Sequence, residues 1–152
     1  MSLSAIDRLE IGDLVAKFNH CSDFGDWEGL VACFTDDVVT YMGGAPTYVG
    51  AEAQVAHARN SAEWTANQNR HLALNLWVEP TGPDSARAHY YVLNFVAGIN
   101  PGEPRLIVSA RMVDHVVRRS AGWRIERRDF DPDQAFEVPD GNAGASYDTG
   151  GA

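Results

Sequence analysis

The spacing of apolar residues changes near His71, and this change limits the folds open to the chain more than any other feature. Before His71, apolar side chains recur every three or four residues, which is the spacing of helices with one buried face. After it, residues alternate with period two between turn clusters rich in glycine and proline, as strands do. Helices followed by a long antiparallel meander predict an α+β domain, with the helices gathered on one side of the sheet.

Three helices are predicted before His71 and four strands from His71 onward. The first helix covers residues 4–22, Asp26 stands at the N-cap of a short second helix, and residues 51–60 form an alanine-rich third. A β-prone segment, 38–42, separates the last two helices. The strands of the meander are predicted at 71–78, 86–99, 106–119 and 123–130.

One domain accounts for a chain of this length. The sequence has 152 residues, of which 45% are hydrophobic, and such a chain buries roughly two thirds of its unfolded surface without a disulfide or a metal to hold the core. We assign residues 1–131 to the domain. Residues 132–152 are rich in glycine and poor in apolar side chains, which favours a C-terminal tail that is flexible or docks on the domain or on a neighbouring subunit.

Charge and cysteine content argue against several classes of partner. The net charge is −9, whereas nucleic acids and anionic membranes bind clustered Lys and Arg, so we expect neither as a partner. Cys21 and Cys33 lack the spacing of a metal site, and no glycine-rich phosphate loop is present, so we expect no metal and no cofactor. No signal sequence and no run of ~18 apolar residues is apparent, which predicts a cytoplasmic protein.

Asp23 and His71 are the first candidate pair for chemistry. Asp23 ends the first helix, where a carboxylate faces the negative end of the helix dipole; it either helps to cap the second helix, for which Asp26 is better placed, or is held by another group. His71 begins a strand beside Ala73 and Asn75, and its ring lies either at a rim or in a cavity. A carboxylate on one ring nitrogen would fix the tautomer and leave the other nitrogen to abstract a proton.

Asp114 and Arg128 form a second candidate pair. A three-residue loop at 120–122 would place Arg119 opposite Trp123, and the same register places Asp114 opposite Arg128. Opposite charges across two strands stabilise a sheet, which is the structural interpretation. In the functional interpretation the pair lies at a pocket wall and offers a guanidinium to a substrate oxygen.

Aromatic and strand residues supply the remaining candidates. Tyr41 and Met42 are adjacent on a strand and point to opposite faces, so one of them faces the interior, where Tyr41 would be a proton donor. Trp27 is interpreted as part of the core and pocket lining. The meander carries more apolar side chains than one buried face needs, so we expect a second copy to cover the other face in a homodimer or homotrimer.

Several short motifs resemble the SnoaL-like group of the NTF2-like superfamily over residues 4–131. The motifs are the segments 23–27, 34–37 and 122–125, the pair Arg70 and His71, and the single residues Leu30, Asn75 and Arg128. The resemblance implies a cone in which a curved, mixed or antiparallel sheet packs against N-terminal helices around a deep pocket. It is closest to the branch that holds scytalone dehydratase and hexachlorocyclohexane dehydrochlorinase.

The resemblance also implies roles for individual residues. Asp23 and His71 match the dyad of that branch as orienting carboxylate and general base. Arg128 matches a pocket arginine that, with Asn75, would stabilise the charge that develops on the substrate. Phe18 stands where the dehydrochlorinase has a lysine, so halide elimination is not implied. The expected function is a cofactor-independent lyase or isomerase, dehydratase-like or polyketide cyclase-like, for a mostly apolar small molecule. The alternative is a noncatalytic binding protein or a protein like the small subunit of an oxygenase.

Overall fold

A six-stranded mixed sheet forms the frame of the protein in a computed structural model, which describes residues 3–98 and 104–134 and the backbone of 136–137 and 146–147. The helices are α1 (Ala5–Phe24), α2 (Trp27–Val31) and α3 (Ala51–Trp64). The strands of the sheet are β1 (Phe34–Met42), β2 (Ala45–Val49), β3 (Asn69–Gly82), β4 (Ser85–Val96), β5 (Arg105–Arg119) and β6 (Gly122–Pro132). A separate antiparallel pair joins β7 (Phe136–Glu137) to β8 (Ser146–Tyr147).

The strand order in the sheet is β2-β1-β6-β5-β4-β3. All neighbours are antiparallel except β1 and β6, which run parallel. Helix α1 lies against β3, and α3 lies against β1, so the helices cover one face of the sheet. The core between them includes the fully buried side chains of Ile11, Leu30, Val38, Val116 and Ile125. The predicted α+β class, with helices on one side of a meander, is confirmed.

Helix α1 is tied to the sheet at its start and along its length. The Ser4 hydroxyl accepts a hydrogen bond from the Asp7 N–H, and the Asp7 carboxylate accepts one from the Ser4 N–H, which completes a capping box. Arg118 of β5 bonds the same carboxylate; together with Ser4 it lowers the pKa of Asp7 from 3.8 to about 2. The next residue along the helix, Arg8, donates from Nη1 to the Val78 carbonyl of β3 at 2.8 Å. These bonds hold α1 across the sheet.

Two strand boundaries in the first half differ from the sequence prediction. β1 begins at Phe34, whereas the β-prone segment was predicted to begin at residue 38. β2 was not predicted, because Pro46 interrupts its pattern; the strand lies at the edge of the sheet, where a missing N–H is tolerated.

A β-bulge changes the predicted faces of β3. The register with β4 shifts between Leu74 and Trp77, and Asn75 has a φ of 57° in the left-handed region. The bulge divides the leucines of β3: Leu76 approaches Gly12 of α1, whereas Leu72 and Leu74 lie before the bulge, opposite Leu93 and Tyr91 of β4.

The hairpin of β5 and β6 has the predicted pairing of Asp114 with Arg128 but a different turn. Arg119 pairs with Gly122, so the turn holds two residues and the predicted three-residue loop is wrong. A second irregularity, at Glu126, then adds one residue to β6 and restores the register, so that Asp114 lies opposite Arg128 as predicted.

Part of the sequence prediction lies outside the described residues. This applies to the end of the predicted strand at Ile99, to the turn at 100–102, and to most of the predicted tail, of which 135, 138–145 and 148–152 are not described. The domain limits, the behaviour of the tail and the homodimer or homotrimer remain predictions. None of the helices among the described residues has the length and apolar character needed to cross a membrane.

The end of α1 supplies a test of the fold. Gly25 closes the helix with a φ of 73°, and a Cβ there would meet the Trp27 ring at 3.4 Å. Gly25→Ala should lower the free energy of unfolding by about 1 kcal/mol, because an L side chain is strained in this conformation. Urea denaturation at matched protein concentration measures the change.

Gly12→Ala is the matched control within the same helix. A Cβ at Gly12 would make an ordinary contact with Leu76 at 3.6 Å, and alanine favours a helix interior, so stability should rise by roughly 0.5–1 kcal/mol. Changes of the same sign in the two variants would contradict the assigned role of Gly25.

Candidate active site

A cavity of about 490 Å³ lies between α1, α3 and the inner face of the sheet. Its volume is within the range of small-molecule sites. Apolar side chains from all sides form most of its wall. They include Phe18, Met42, Trp64, Val92, Val108, Met112 and Phe130.

Asp23 and His71 meet at the edge of this cavity. The His71 backbone N–H donates to Asp23 Oδ2 at 2.9 Å, and ring atom Nδ1 lies 2.5 Å from Asp23 Oδ1. One carboxylate thus holds both the main chain and the ring of His71. Asp23 is buried, whereas the His71 side chain is 21% exposed and lines the cavity. No described residue bonds Nε2, the second ring nitrogen.

The position of Asp23 on α1 now has a physical explanation. A carboxylate in the last turn of a helix is disfavoured by the helix dipole, and the two contacts with His71 offset that cost. The alternative, in which Asp23 caps the second helix, is wrong because Asp26 occupies that position and accepts from the Gly29 N–H at 2.9 Å. Asp23 and His71 are far apart in the sequence, and the packing of α1 on β3 brings them together.

A buried network of Tyr90, Asp114 and Arg128 forms a second polar region. Arg128 Nε donates to Asp114 Oδ1 at 2.8 Å, Arg128 Nη2 donates to the Tyr90 hydroxyl at 2.8 Å, and that hydroxyl donates to Asp114 Oδ2 at 2.7 Å. Tyr90 and Arg128 line the cavity. Asp114 is 0% exposed and does not line the cavity, so Arg128 alone of the predicted pair reaches the cavity wall.

The network favours the protonated form of Tyr90 and the charged form of Arg128. Burial, followed by the nearby Asp114 charge, raises the pKa of Tyr90 well above its ordinary value. Burial acts to lower the pKa of Arg128, but Asp114 and Tyr90 outweigh it and raise that pKa. Arg128 is therefore charged and Tyr90 protonated near neutral pH.

Arg128 keeps one nitrogen for the cavity. Nε and Nη2 are used by Asp114 and Tyr90, while Nη1 has no hydrogen-bond partner among the described residues. The Phe18 ring lies against the guanidinium, with Cζ 3.7 Å from the ring centroid. The guanidinium is thus held in one orientation by contacts on its edge and its face.

The remaining predicted site residues lie in different parts of the structure, and not all of them line the cavity. Met42 lines the cavity, whereas Tyr41 points to the other face of the sheet and lies under Arg127. Trp27 packs under Arg59 and does not line the cavity. Asn75 is exposed beside the bulge and lines a depression on the outer face with Trp77, His89 and Tyr91. A site that contains Tyr41, Trp27 or Asn75 is therefore not supported by their positions.

Sequence reasoning missed several polar residues in the wall, among them Asn94 and the pair Thr40 and Gln54. Asn94 lies opposite His71 on β4 and lines the cavity; it falls on the same alternating face as Tyr90 and Val92, which was the available signal. On the other side, Thr40 donates to Gln54 Oε1 at 2.7 Å, and Gln54 Nε2 donates to the Tyr48 carbonyl at 3.0 Å. No sequence signal marked Gln54 within its alanine-rich helix.

A family model of the SnoaL-like domain matches residues 4–129. The chain belongs to the SnoaL-like family. A search among proteins of curated function found no match. Within the part of the chain that the structure describes, no three histidine, cysteine, aspartate or glutamate residues form a group that could hold a metal ion.

Solved structures share the SnoaL-like fold with this chain. Aln2 from a Streptomyces species is 25% identical, with a TM-score of 0.77 over 88% of this chain and 95% of that one. A protein of unknown function with a cystatin-like fold from Nostoc punctiforme is also 25% identical, with a TM-score of 0.73 over 88% and 96% of the two chains. Hexachlorocyclohexane dehydrochlorinase LinA-type3 from Novosphingobium barchaimii is 22% identical, with a TM-score of 0.70 over 86% and 91%. The resemblance to the SnoaL-like family that was inferred from the motifs is confirmed by the family model.

The buried network supplies a test of the site's architecture. Asp114→Asn should lower the free energy of unfolding by about 3–5 kcal/mol, because it leaves the buried Arg128 charge without its partner. Asp129→Asn on the same hairpin is the matched control. Asp129 pairs with Arg127 and His115 nearer the surface, so its loss should cost about 1 kcal/mol or less. Equal losses in the two variants, measured by denaturation, would contradict the distinction.

Proposed function

We propose that this SnoaL-like protein is a cofactor-independent lyase or isomerase for a small molecule, with His71 as general base and Asp23 as its orienting carboxylate. The observation that carries the proposal is the contact of Asp23 with His71 Nδ1 at the wall of an open cavity. Fixing Nδ1 as the donor to Asp23 leaves the lone pair of Nε2 to accept a proton.

The proposed reaction begins with removal of a proton from a carbon next to a carbonyl group. Nε2 of His71 takes the proton, and Asp23 stabilises the imidazolium that forms. The negative charge moves to the carbonyl oxygen, where Nη1 of Arg128 is the available donor. The apolar walls reduce the water around the reacting groups, which strengthens both interactions. Return of the proton from the imidazolium to another carbon of a conjugated enolate gives isomerisation. Transfer of that proton to a hydroxyl group on the adjacent carbon, with cleavage of its C–O bond, releases water and gives dehydration.

The relatives support this class of reaction. One similar structure is a dehydrochlorinase by name, and elimination in such an enzyme requires a base. Phe18, which stands where the resemblance places the lysine of that enzyme, presents a ring to Arg128. A phenyl ring cannot neutralise a departing chloride, so the proposal is dehydration or isomerisation and does not extend to halide loss.

The open cavity argues against a purely structural role for Asp23 and His71. If Asp23 and His71 served only to close a hydrogen-bond network, the space beside them would need no access to a ligand. His71 instead lines a cavity large enough for a small molecule. A binding protein without chemistry is therefore the second candidate.

Proton exchange tests the proposed base directly. In D₂O, a panel of cyclic ketones that includes 1-tetralone should exchange the protons next to the carbonyl group faster with the protein than in buffer, as followed by proton NMR. His71→Ala should reduce the enzymatic rate by about 10²–10⁴, which is the contribution of one well-placed base. Asp23→Asn should also reduce the rate, because an amide NH₂ that donates to Nδ1 favours the wrong tautomer.

His89→Ala is the matched control. His89 also lies on a strand and pairs with a carboxylate, Glu79, but it is on the outer face of the sheet. Its replacement should leave the exchange rate unchanged. An unchanged rate in folded His71→Ala, or no exchange above buffer by the wild-type protein for any ketone, would overturn the proposal.

A further inference from the structure

Arg105, at the start of β5, differs from the other arginines of the chain in its contacts. Each of the others touches a carbonyl, a carboxylate or an aromatic ring of the protein. The Arg105 side chain has no hydrogen bond, ion pair or ring contact with any residue in 3–98 or 104–134. The described part of the fold therefore makes no use of its charge.

The register of the sheet directs Arg105 toward the cavity and not toward the outer face. Arg105 lies opposite Val96 of β4, and Val96 lies opposite Asn69 of β3. Residues paired in this way project to the same face of a sheet, and Val96 and Asn69 are both buried. Arg105 itself is exposed and lines the cavity beside Leu106. Its guanidinium thus lies where the cavity opens to solvent.

The charges in the cavity wall are of one sign. Arg105 and Arg128 both line the cavity, whereas no aspartate or glutamate among the described residues does so. The chain as a whole has the opposite balance, with 21 acidic against 12 basic residues. Asp114 already pairs with Arg128. Arg105 therefore leaves a permanent positive charge in the described wall that a bound anion would neutralise.

We infer that the cavity binds a small keto acid, whose carboxylate pairs with Arg105 at the opening while its carbonyl group reaches His71 and Arg128. The inference rests on the proposed function and names the substrate class of that site. A guanidinium matches a carboxylate through two parallel hydrogen bonds. A phosphate ester carries close to two negative charges, which a single unneutralised arginine matches less well. Arg105 is then a specificity-determining residue.

The regular spacing of the sheet sets the length of such a ligand. His71 lies on β3 opposite Asn94, and Arg105 lies two strands away, opposite Val96. Neighbouring strands are about 4.8 Å apart and each residue advances about 3.4 Å, so the two Cα atoms are roughly 12 Å apart. The carboxylate of the ligand should therefore be separated by several bonds from the carbon that loses a proton.

Binding of matched acids and esters tests the inference without turnover. Isothermal titration calorimetry would compare 4-oxo-4-phenylbutanoate, and its homologues with one or two further methylene groups, with the methyl ester of each. At least one acid should bind the wild-type protein about tenfold or more tightly than its ester, as expected for a charged hydrogen-bonded pair. Arg105→Gln should abolish this preference and leave the affinity for the ester within about twofold of wild type.

Two further variants make the test specific to Arg105. Arg105→Glu reverses the charge and should make the ester the tighter ligand. Arg111→Gln removes the same charge from the same strand, but Arg111 pairs with Asp131 on the outer face, so this variant should keep the full preference. The inference is overturned by a preference that survives in Arg105→Gln or Arg105→Glu, by its loss in Arg111→Gln, or by a wild-type protein that binds no acid more tightly than its ester.

The outcome is separable from that of the proposed function. If His71→Ala abolishes proton exchange while the acids show no preference, the base stands and the substrate class is wrong. If the preference depends on Arg105 while exchange does not depend on His71, the ligand class stands and the proposed mechanism is wrong.

Discussion

The Asp23 carboxylate joins the end of α1 to the start of β3, and the arrangement of the cavity depends on this contact. It accepts from the His71 backbone N–H and lies against ring nitrogen Nδ1, so the position of the strand and the direction of the ring are set by one group. The left-handed turn at Gly25 ends α1 directly after Asp23 and Phe24, and Arg8 fixes the helix to β3 near its start. These contacts hold the His71 ring at the edge of the cavity.

The second constraint is the buried charge of Arg128. Asp114 and Tyr90 satisfy two of its nitrogens, and Phe18 covers one face of the guanidinium, so the cation is held rigidly with one nitrogen unused by the described residues. Such a pair adds little to stability compared with an apolar core of the same volume, but removing one partner is costly. In the proposed mechanism the pair serves instead to hold the Arg128 donor at a cavity whose remaining wall is largely apolar.

Periodicity and turn residues predicted the class of fold and most elements, because each depends on local spacing. They could not predict where a strand departs from regular pairing. Asn75 was placed beside His71 on that basis, and a bulge turns it to the outer face. Asp114 and Arg128 were paired correctly although the assumed turn was wrong, since the bulge at Glu126 offsets the error by one residue. Asn94 was on the alternating inner face, but an unpaired amide is visible only once its neighbours are placed.

The tautomer of His71 tests the central claim most directly. Nitrogen-15 NMR of the histidine ring, with His71 assigned by its absence in His71→Ala, distinguishes a proton on Nδ1 from one on Nε2. Above the pH at which the ring is protonated, the contact with Asp23 predicts that Nδ1 carries the proton and Nε2 is bare, and that Asp23→Asn shifts the population toward protonated Nε2. A neutral ring that carries its proton on Nε2 in the wild-type protein would contradict the assignment of His71 as a base oriented by Asp23.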